Sequence, residues 1–187
     1  MVGNYTRSIA KRVFAHELGE TSLSFKDGDD QYSPTYAITP TGEKVNRIFM
    51  VATLLEAEDI GKDSEYWRGR IADPTGTMHV YAGQYQPAAA QFLVEAEVPA
   101  FVAIIGKPST YQTPEGHTKS SIRPEAIFEV DAETQNKWIM ETAAATIERL
   151  KTLNADDEVK AKAREHYKVD IGAYNTMVRI ALKSIEI

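Results

Sequence analysis

The chain has 187 residues, enough for one full domain with an appendage. Hydrophobic residues make up 43% of it and charged residues 26%, a composition that excludes wholesale disorder and allows a packed core. Cysteine is absent, which excludes disulfides and cysteine-ligated zinc sites and fits a reducing compartment.

Membrane insertion and secretion are not expected. No apolar run approaches the length of a membrane span, and Met1–Arg7 lacks the apolar stretch of a signal peptide. We therefore expect a cytoplasmic protein with no membrane partner. The formal net charge of −6 disfavours nucleic-acid binding unless positive charge is concentrated on one face.

Residues 1–45 are predicted to form an N-terminal extension. Apolar residues recur at helical spacing over Arg7–Leu18, which predicts a short helix. The stretch Gly19–Gly42 is polar and carries Asp-Gly and two prolines, so we expect a loop or edge structure there, with one strand at Thr35–Ile38.

Residues 46–131 are predicted to form five strands and one helix, in the order β-β-β-α-β-β. The predicted strands are Arg47–Leu55, Tyr66–Ala72, Thr77–Ala82, Ala100–Lys107 and His117 to about Val130, and the helix covers Gln86–Glu95. The turn Asp73-Pro-Thr-Gly76 is typical of a tight hairpin, with proline fixing one φ and glycine taking a positive φ. This order is that of a five-stranded OB-fold barrel, with the helix between strands three and four.

Residues 132–187 are predicted to be helical. The first helix carries a narrow apolar seam, formed by Ile139, Ala143, Thr146, Leu150 and Leu153. That seam has too few large residues for a strong homomeric coiled coil, so we expect the helix to pack on its own barrel through Trp138 or to meet a partner subunit. Asp156–Tyr167 has the charge of a solvated helix, and Asp170 is suited to cap a last one.

Strand parity separates the two faces of the second and third strands. One face carries the residues of a barrel interior, namely Trp67, Gly69, Ile71, Met78, Val80 and Ala82. The other face carries arginines, tyrosines and a histidine, and the loop after strand four and strand five add further residues of the same kinds. The candidate nucleic-acid-binding residues are Tyr66, Arg68, Arg70, His79, Tyr81, Tyr111, Lys119 and Arg123.

The charge balance leaves two interpretations of this face open. Residues 46–131 contain seven basic and twelve acidic residues, but most of the acids are predicted to lie in loops or in the helix. Outward arginines and tyrosines are also ordinary on a solvated strand surface, and the pattern alone favours that interpretation.

The sequence gives less support for a catalytic or metal site than for a nucleic-acid-binding face. The histidines lack metal-binding spacing, and no nucleophile elbow or phosphate-binding loop is present. The acidic clusters Asp27–Asp30 and Glu56–Asp59 have the chemistry for a divalent ion, but no EF-hand spacing. The sequence thus indicates neither an enzyme nor a cofactor.

Several segments together resemble archaeal replication protein A-associated proteins, which are relatives of the smaller replication protein A subunits. These segments are Arg12–Ala15, Tyr36–Leu54, Tyr66–Tyr85, Ile105–Pro108 and Ile122–Glu125. The resemblance covers about residues 5–131 and implies an OB-fold that binds single-stranded DNA in replication and repair. It also implies a large replication protein A subunit as partner, and it raises the binding interpretation of the strand face above the solvated one.

One departure from that family concerns base stacking. Its small subunits often have a tryptophan near the end of strand three, where this chain has Ala82-Gly-Gln-Tyr85, so Tyr81 or Tyr85 would have to substitute. Two hypotheses follow. The chain is a single-stranded DNA-binding module, or it is an assembly subunit with little DNA binding that docks its partner through the C-terminal helices.

Overall fold

The computed structural model describes residues 7–185. The expectation that Met1–Arg7 lacks a signal peptide therefore concerns residues that lie almost wholly outside this range. In chain order the elements are α1 (Ala15–Gly19), β1 (Leu23–Lys26), β2 (Thr35–Ile38), β3 (Lys44–Val45), β4 (Ile48–Asp59), β5 (Trp67–Asp73), β6 (Gly76–Ala82), α2 (Pro87–Glu95), β7 (Ala100–Gln112), β8 (Thr118–Glu129), α3 (Ala132–Lys151), α4 (Glu158–His166) and α5 (Ile171–Lys183).

Five strands close into a barrel in the order β4-β5-β6-β8-β7. All neighbouring strands are antiparallel except β6 and β8, which run parallel and close the barrel where Val80 faces Ile122. Helix α2 lies between β6 and β7 in the chain. The predicted fold class, a five-stranded OB-fold barrel followed by helices, is confirmed.

Strand parity places the core as predicted. Ile71, Met78 and Val80 are buried inside the barrel, while Trp67 is half-buried and packs against the core from the strand end. Helix α2 covers the barrel with its apolar side, because Ala89 and Leu93 are buried. The outer face of β5 and β6, opposite to the inward side chains of these strands, is not covered by α2.

The β5–β6 hairpin turns over two residues, but by a different device from the one predicted. Gly76 does not adopt a positive φ. Instead the carboxylate of Asp73 accepts hydrogen bonds from the backbone N–H of Thr75 at 2.7 Å and of Gly76 at 3.2 Å. Its second oxygen accepts from the N–H of Ala15 at 2.7 Å, which fixes the start of α1 against the turn. Burial raises the pKa of Asp73, and these hydrogen bonds oppose the rise.

The N-terminal segment is more extended than predicted. The helix covers only Ala15–Gly19, because the chain before it runs beside the barrel, where Lys11 bridges Ile48 in parallel. This path buries Val13 and Phe14, the residues whose spacing had indicated a longer helix. The predicted strand Thr35–Ile38 is present, and it forms a small antiparallel sheet with β1 and β3 where a loop or edge structure with one strand was expected.

Helix α3 packs on the barrel, which is one of the two alternatives predicted for this helix. The indole N–H of Trp138 donates to the carbonyl oxygen of Phe49 at 2.9 Å, and its ring meets Phe14 edge-on at 5.5 Å. Asp131, Asp157 and Asp170 cap the three C-terminal helices through their side chains. Within residues 7–185 no helix combines the length and the apolar character needed to span a membrane.

A buried ion pair joins the N-terminal segment to α3. The carboxylate of Glu17 is fully buried and accepts from Arg149 at 3.0 Å. Arg149 also donates to the hydroxyl oxygen of Thr41 at 2.7 Å and to that of Thr146 at 3.1 Å. Thr146, predicted as an apolar seam residue, thus serves as a hydrogen-bond acceptor within a polar network.

Candidate nucleic-acid interface

The outer face of β5 and β6 holds the predicted arginines, tyrosine and histidine in two facing pairs. Arg68 lies opposite Tyr81, and Arg70 lies opposite His79. All four side chains are half-buried, so each is held by its neighbours while part of it stays open to solvent. The alternation that sends Ile71 and Val80 inward sends these side chains outward.

Two tyrosines form a stacked pair at the end of this face. The rings of Tyr66 and Tyr81 lie nearly parallel, with centroids 5.9 Å apart and an angle of 14°. Tyr66 lies directly against Gly83, where an added Cβ would come within 2.8 Å of its ring. Burial raises the pKa of Tyr81, and the neighbouring Tyr111 hydroxyl raises it further while Arg68 opposes the shift. Tyr81 therefore stays neutral at pH 7 and presents an aromatic surface.

The β7–β8 hairpin extends the face. Tyr111 lies opposite Lys119, and Lys107 lies opposite Arg123. The hairpin shifts register at Gly106, where a Cβ would lie 2.5 Å from the carbonyl oxygen of Arg123, so only glycine fits this bulge. The structure thus brings seven of the eight candidate residues onto adjoining strands of one surface, and Tyr66 lies directly before β5.

The two arginines of β5 are already paired with carboxylates. Arg68 forms an ion pair and hydrogen bond with Glu58, and Arg70 forms the same kind of pair with Glu56. The expectation that most acids lie in loops or in the helix was wrong, since six of the twelve acids in residues 46–131 lie in strands.

A bulge in β4 explains why these two acids reach the arginines. Strand β4 continues to Asp59, four residues past its predicted end, and its pairing with β5 shifts between Leu54 and Glu56. Leu54 therefore points inward opposite Ile71, and after the shift Glu56 points outward opposite Arg70. The acids at alternate positions, Glu56 and Glu58, were a signal of a continuing strand that the sequence interpretation did not use.

His79 has a pKa below its ordinary value. Burial is the main cause, and the positive charges of Arg68, Arg70 and Lys119 add to it, while Glu56 opposes them. His79 is thus neutral at pH 7, and an approaching phosphate would favour its protonated, positively charged form.

Three cations of the face have no acidic partner. Lys107, Lys119 and Arg123 have no carboxylate within ion-pair distance among the described residues, and all three are exposed. A groove of about 430 Å³ runs between the tyrosine pair and Arg123. The exposed ring of Tyr85 lines the same groove, so Tyr85 joins the candidate residues.

The acidic clusters form ion pairs instead of a metal site. Glu56 and Glu58 pair with the arginines, and Asp27 pairs with Lys44 at 3.4 Å. Over residues 7–185, no group of three or more histidine, aspartate or glutamate side chains is arranged to hold a metal ion.

No model of a protein family matches the chain, and no curated protein matches it. Among solved structures, it is similar to a small single-stranded DNA-binding protein from Streptomyces coelicolor, at 19% identity and TM-score 0.37, over 46% of this chain and 95% of that one. It is similar to the mitochondrial single-stranded DNA-binding protein Rim1 from S. cerevisiae, at 18% identity and TM-score 0.36, over 46% and 94%. It is also similar to asparaginyl-tRNA synthetase from Pyrococcus horikoshii, at 11% identity and TM-score 0.36, over 57% and 29%.

Proposed function

We propose that this chain is a single-stranded DNA-binding module with an OB-fold. The observation that carries the proposal is the stacked pair of Tyr66 and Tyr81 beside a groove that Arg123 also lines, a cation with no ion-pair partner among residues 7–185. Single-strand binding needs aromatic rings for the bases and a positive track for the backbone. Both lie here on the strand face that OB-folds use for oligonucleotides.

The arrangement assigns different tasks to the aromatic and the basic residues. Bases stack on Tyr66, Tyr81 and Tyr111, while Lys119 and Arg123 meet the phosphates. Arg68 and Arg70 can contact phosphates only by giving up their carboxylate partners, which limits their net contribution to the affinity for DNA. This limit fits the acidic balance of the chain and predicts modest affinity.

The finer role that we propose is binding of the replication protein A type, in DNA replication and repair, without catalytic activity. The sequence resemblance to replication protein A-associated proteins supports this role, together with a large subunit of that complex as partner. The alternative is an assembly subunit that docks through its C-terminal helices. Against the alternative, the seam on α3 is covered within the chain, since Ile139, Ala143 and Leu150 are buried.

A comparison of charge-neutralised variants tests the proposal. Replacing both Lys119 and Arg123 with glutamine should weaken binding of a labelled oligo(dT), because two phosphate contacts are lost. The matched control removes two positive charges elsewhere, Lys168→Gln together with Lys183→Gln, both exposed lysines of the C-terminal helical region. Equal weakening by the control would mean that only general charge matters, and no change in either variant would exclude the face as the binding site.

A further inference from the structure

A second groove continues from the candidate interface toward the small sheet. It has a volume of about 420 Å³ and is lined by residues of β2, of the turn before it, and of β7 and β8. Arg123 and Ser109 line this groove as well as the one beside Tyr81. The two grooves are therefore neighbours that share a wall.

The second groove has the chemistry of the first. Lys107 and Arg123 lie along it without acidic partners in the described part of the chain. At the side of the small sheet, Tyr32 exposes 76% of its surface and Tyr36 is half-buried. An exposed ring beside unpaired cations is what a nucleotide with its phosphate requires.

The loop that carries Tyr32 is held in place by hydrogen bonds within the loop. The carboxylate of Asp30 accepts from the N–H of Tyr32 at 3.1 Å, and the N–H of Asp27 donates to the carbonyl oxygen of Pro34 at 3.0 Å. Asp29 and Asp30 precede Tyr32 in the chain with only Gln31 between, and their charges repel phosphates. A polyanion that follows the groove would therefore end near Tyr32.

We propose that a single strand of DNA longer than the barrel face continues into this second groove, with phosphates against Lys107 and Arg123 and a base stacked on Tyr32. The inference rests on the proposed function and deepens it, because it gives the binding site a direction and an end. The strand runs from Tyr66 and Tyr81 across β8 and β7 to the small sheet.

The test compares two oligo(dT) lengths, of about eight and about sixteen nucleotides, within the range of site sizes of one OB-fold. Tyr32→Ala should lower affinity for the longer strand at least about fivefold, as the loss of one base stack does, and leave the shorter strand unaffected. Tyr32→Phe keeps the ring and should bind as the parent does. Lys107→Gln should reduce the salt dependence for the longer strand by about 0.7 in slope, and Lys168→Gln should not.

The outcomes separate the extension from the function on which it rests. If Tyr32→Ala binds both strands like the parent while Tyr81→Ala loses affinity, the extension is wrong and the groove has another use. If Tyr32→Ala weakens both lengths equally, Tyr32 belongs to the primary site and the proposed direction of the strand is wrong. If the parent binds neither strand, the proposed function fails and the extension fails with it.

Discussion

At the scale of single residues, Tyr81 is the centre of the candidate interface. Its ring stacks on Tyr66, lies 6.1 Å from that of His79, and shares the groove with Arg123. Tyr81→Ala should cost about 1–3 kcal/mol of single-strand affinity, the usual range for one lost base stack. Tyr81→Phe keeps the ring and should retain most of it. Titration of a labelled oligo(dT) measures both, and thermal unfolding checks that Tyr81→Ala stays folded. An unchanged affinity in folded Tyr81→Ala would show that no base stacks there.

His79 gives the same face a pH dependence. Its pKa lies below 6.5 in the free protein, and a phosphate nearby would favour the charged imidazolium and raise that pKa. Binding should therefore take up a proton, so affinity should increase as the pH falls from 7 toward 5. We expect His79→Gln to lose this increase, and the difference between parent and variant isolates His79 from other titrating groups. Identical pH profiles would mean that no phosphate approaches His79.

At the scale of elements, β4 controls the charge of the interface. Glu56→Gln and Glu58→Gln should release Arg70 and Arg68 for phosphates, because each arginine loses its carboxylate partner. Each released arginine should make the salt dependence of binding steeper by about 0.7 in slope, and affinity at low salt should rise. The control is Glu148→Gln, since Glu148 is an exposed acid on α3 without an ion-pair partner among the described residues. Unchanged slopes, with a parent slope no steeper than the about −2.1 expected for Lys107, Lys119 and Arg123, would show that the arginines do not contact DNA.

Helix α3 and the N-terminal segment depend on the ion pair between Arg149 and Glu17. Arg149→Ala should lower the free energy of unfolding by about 3–5 kcal/mol, because Glu17 would remain buried without its partner. Lys151→Ala, in the same last turn of α3 but exposed, should change it little. The double variant Glu17→Gln with Arg149→Met should recover part of the loss, since it removes both buried charges. Urea unfolding measures all three, and an Arg149→Ala protein as stable as the parent would contradict this role.

The elements differ in how far the sequence could predict them. The barrel strands were predictable because buried and exposed residues alternate along them, and the same alternation placed Arg68 and Tyr81 outward. The pairing of Arg68 with Glu58 could not be predicted, because it depends on a bulge in β4 that reverses which residues of that strand point outward. The contact between Glu17 and Arg149 joins residues 132 positions apart, a separation at which no local pattern gives a signal.

At the scale of the whole molecule, the C-terminal helices complete the chain's own core. Trp138 and Ile139 are buried against the barrel, and Leu150 and Leu153 are buried as well. With its seam covered, α3 has no free apolar seam for self-association, so we expect sedimentation at the mass of one chain, 20.8 kDa. A stable dimer at micromolar concentration would contradict this expectation, and its loss on changing the exposed Met140 or Ile180 to aspartate would place the interface on the C-terminal helices.

The most direct test of the account is a salt titration of binding to oligo(dT) and to a duplex of the same length. The face pairs rings for unstacked bases with few free cations, so we expect saturable binding to oligo(dT) and weaker binding to the duplex. The slope of log affinity against log salt should lie between about −1.4, for Lys119 and Arg123 alone, and about −3.5, if Lys107 and the two arginines Arg68 and Arg70 also contact phosphates. Equal affinity for the two substrates, or no binding to oligo(dT) at low salt, would contradict the claim that this barrel face binds single-stranded DNA.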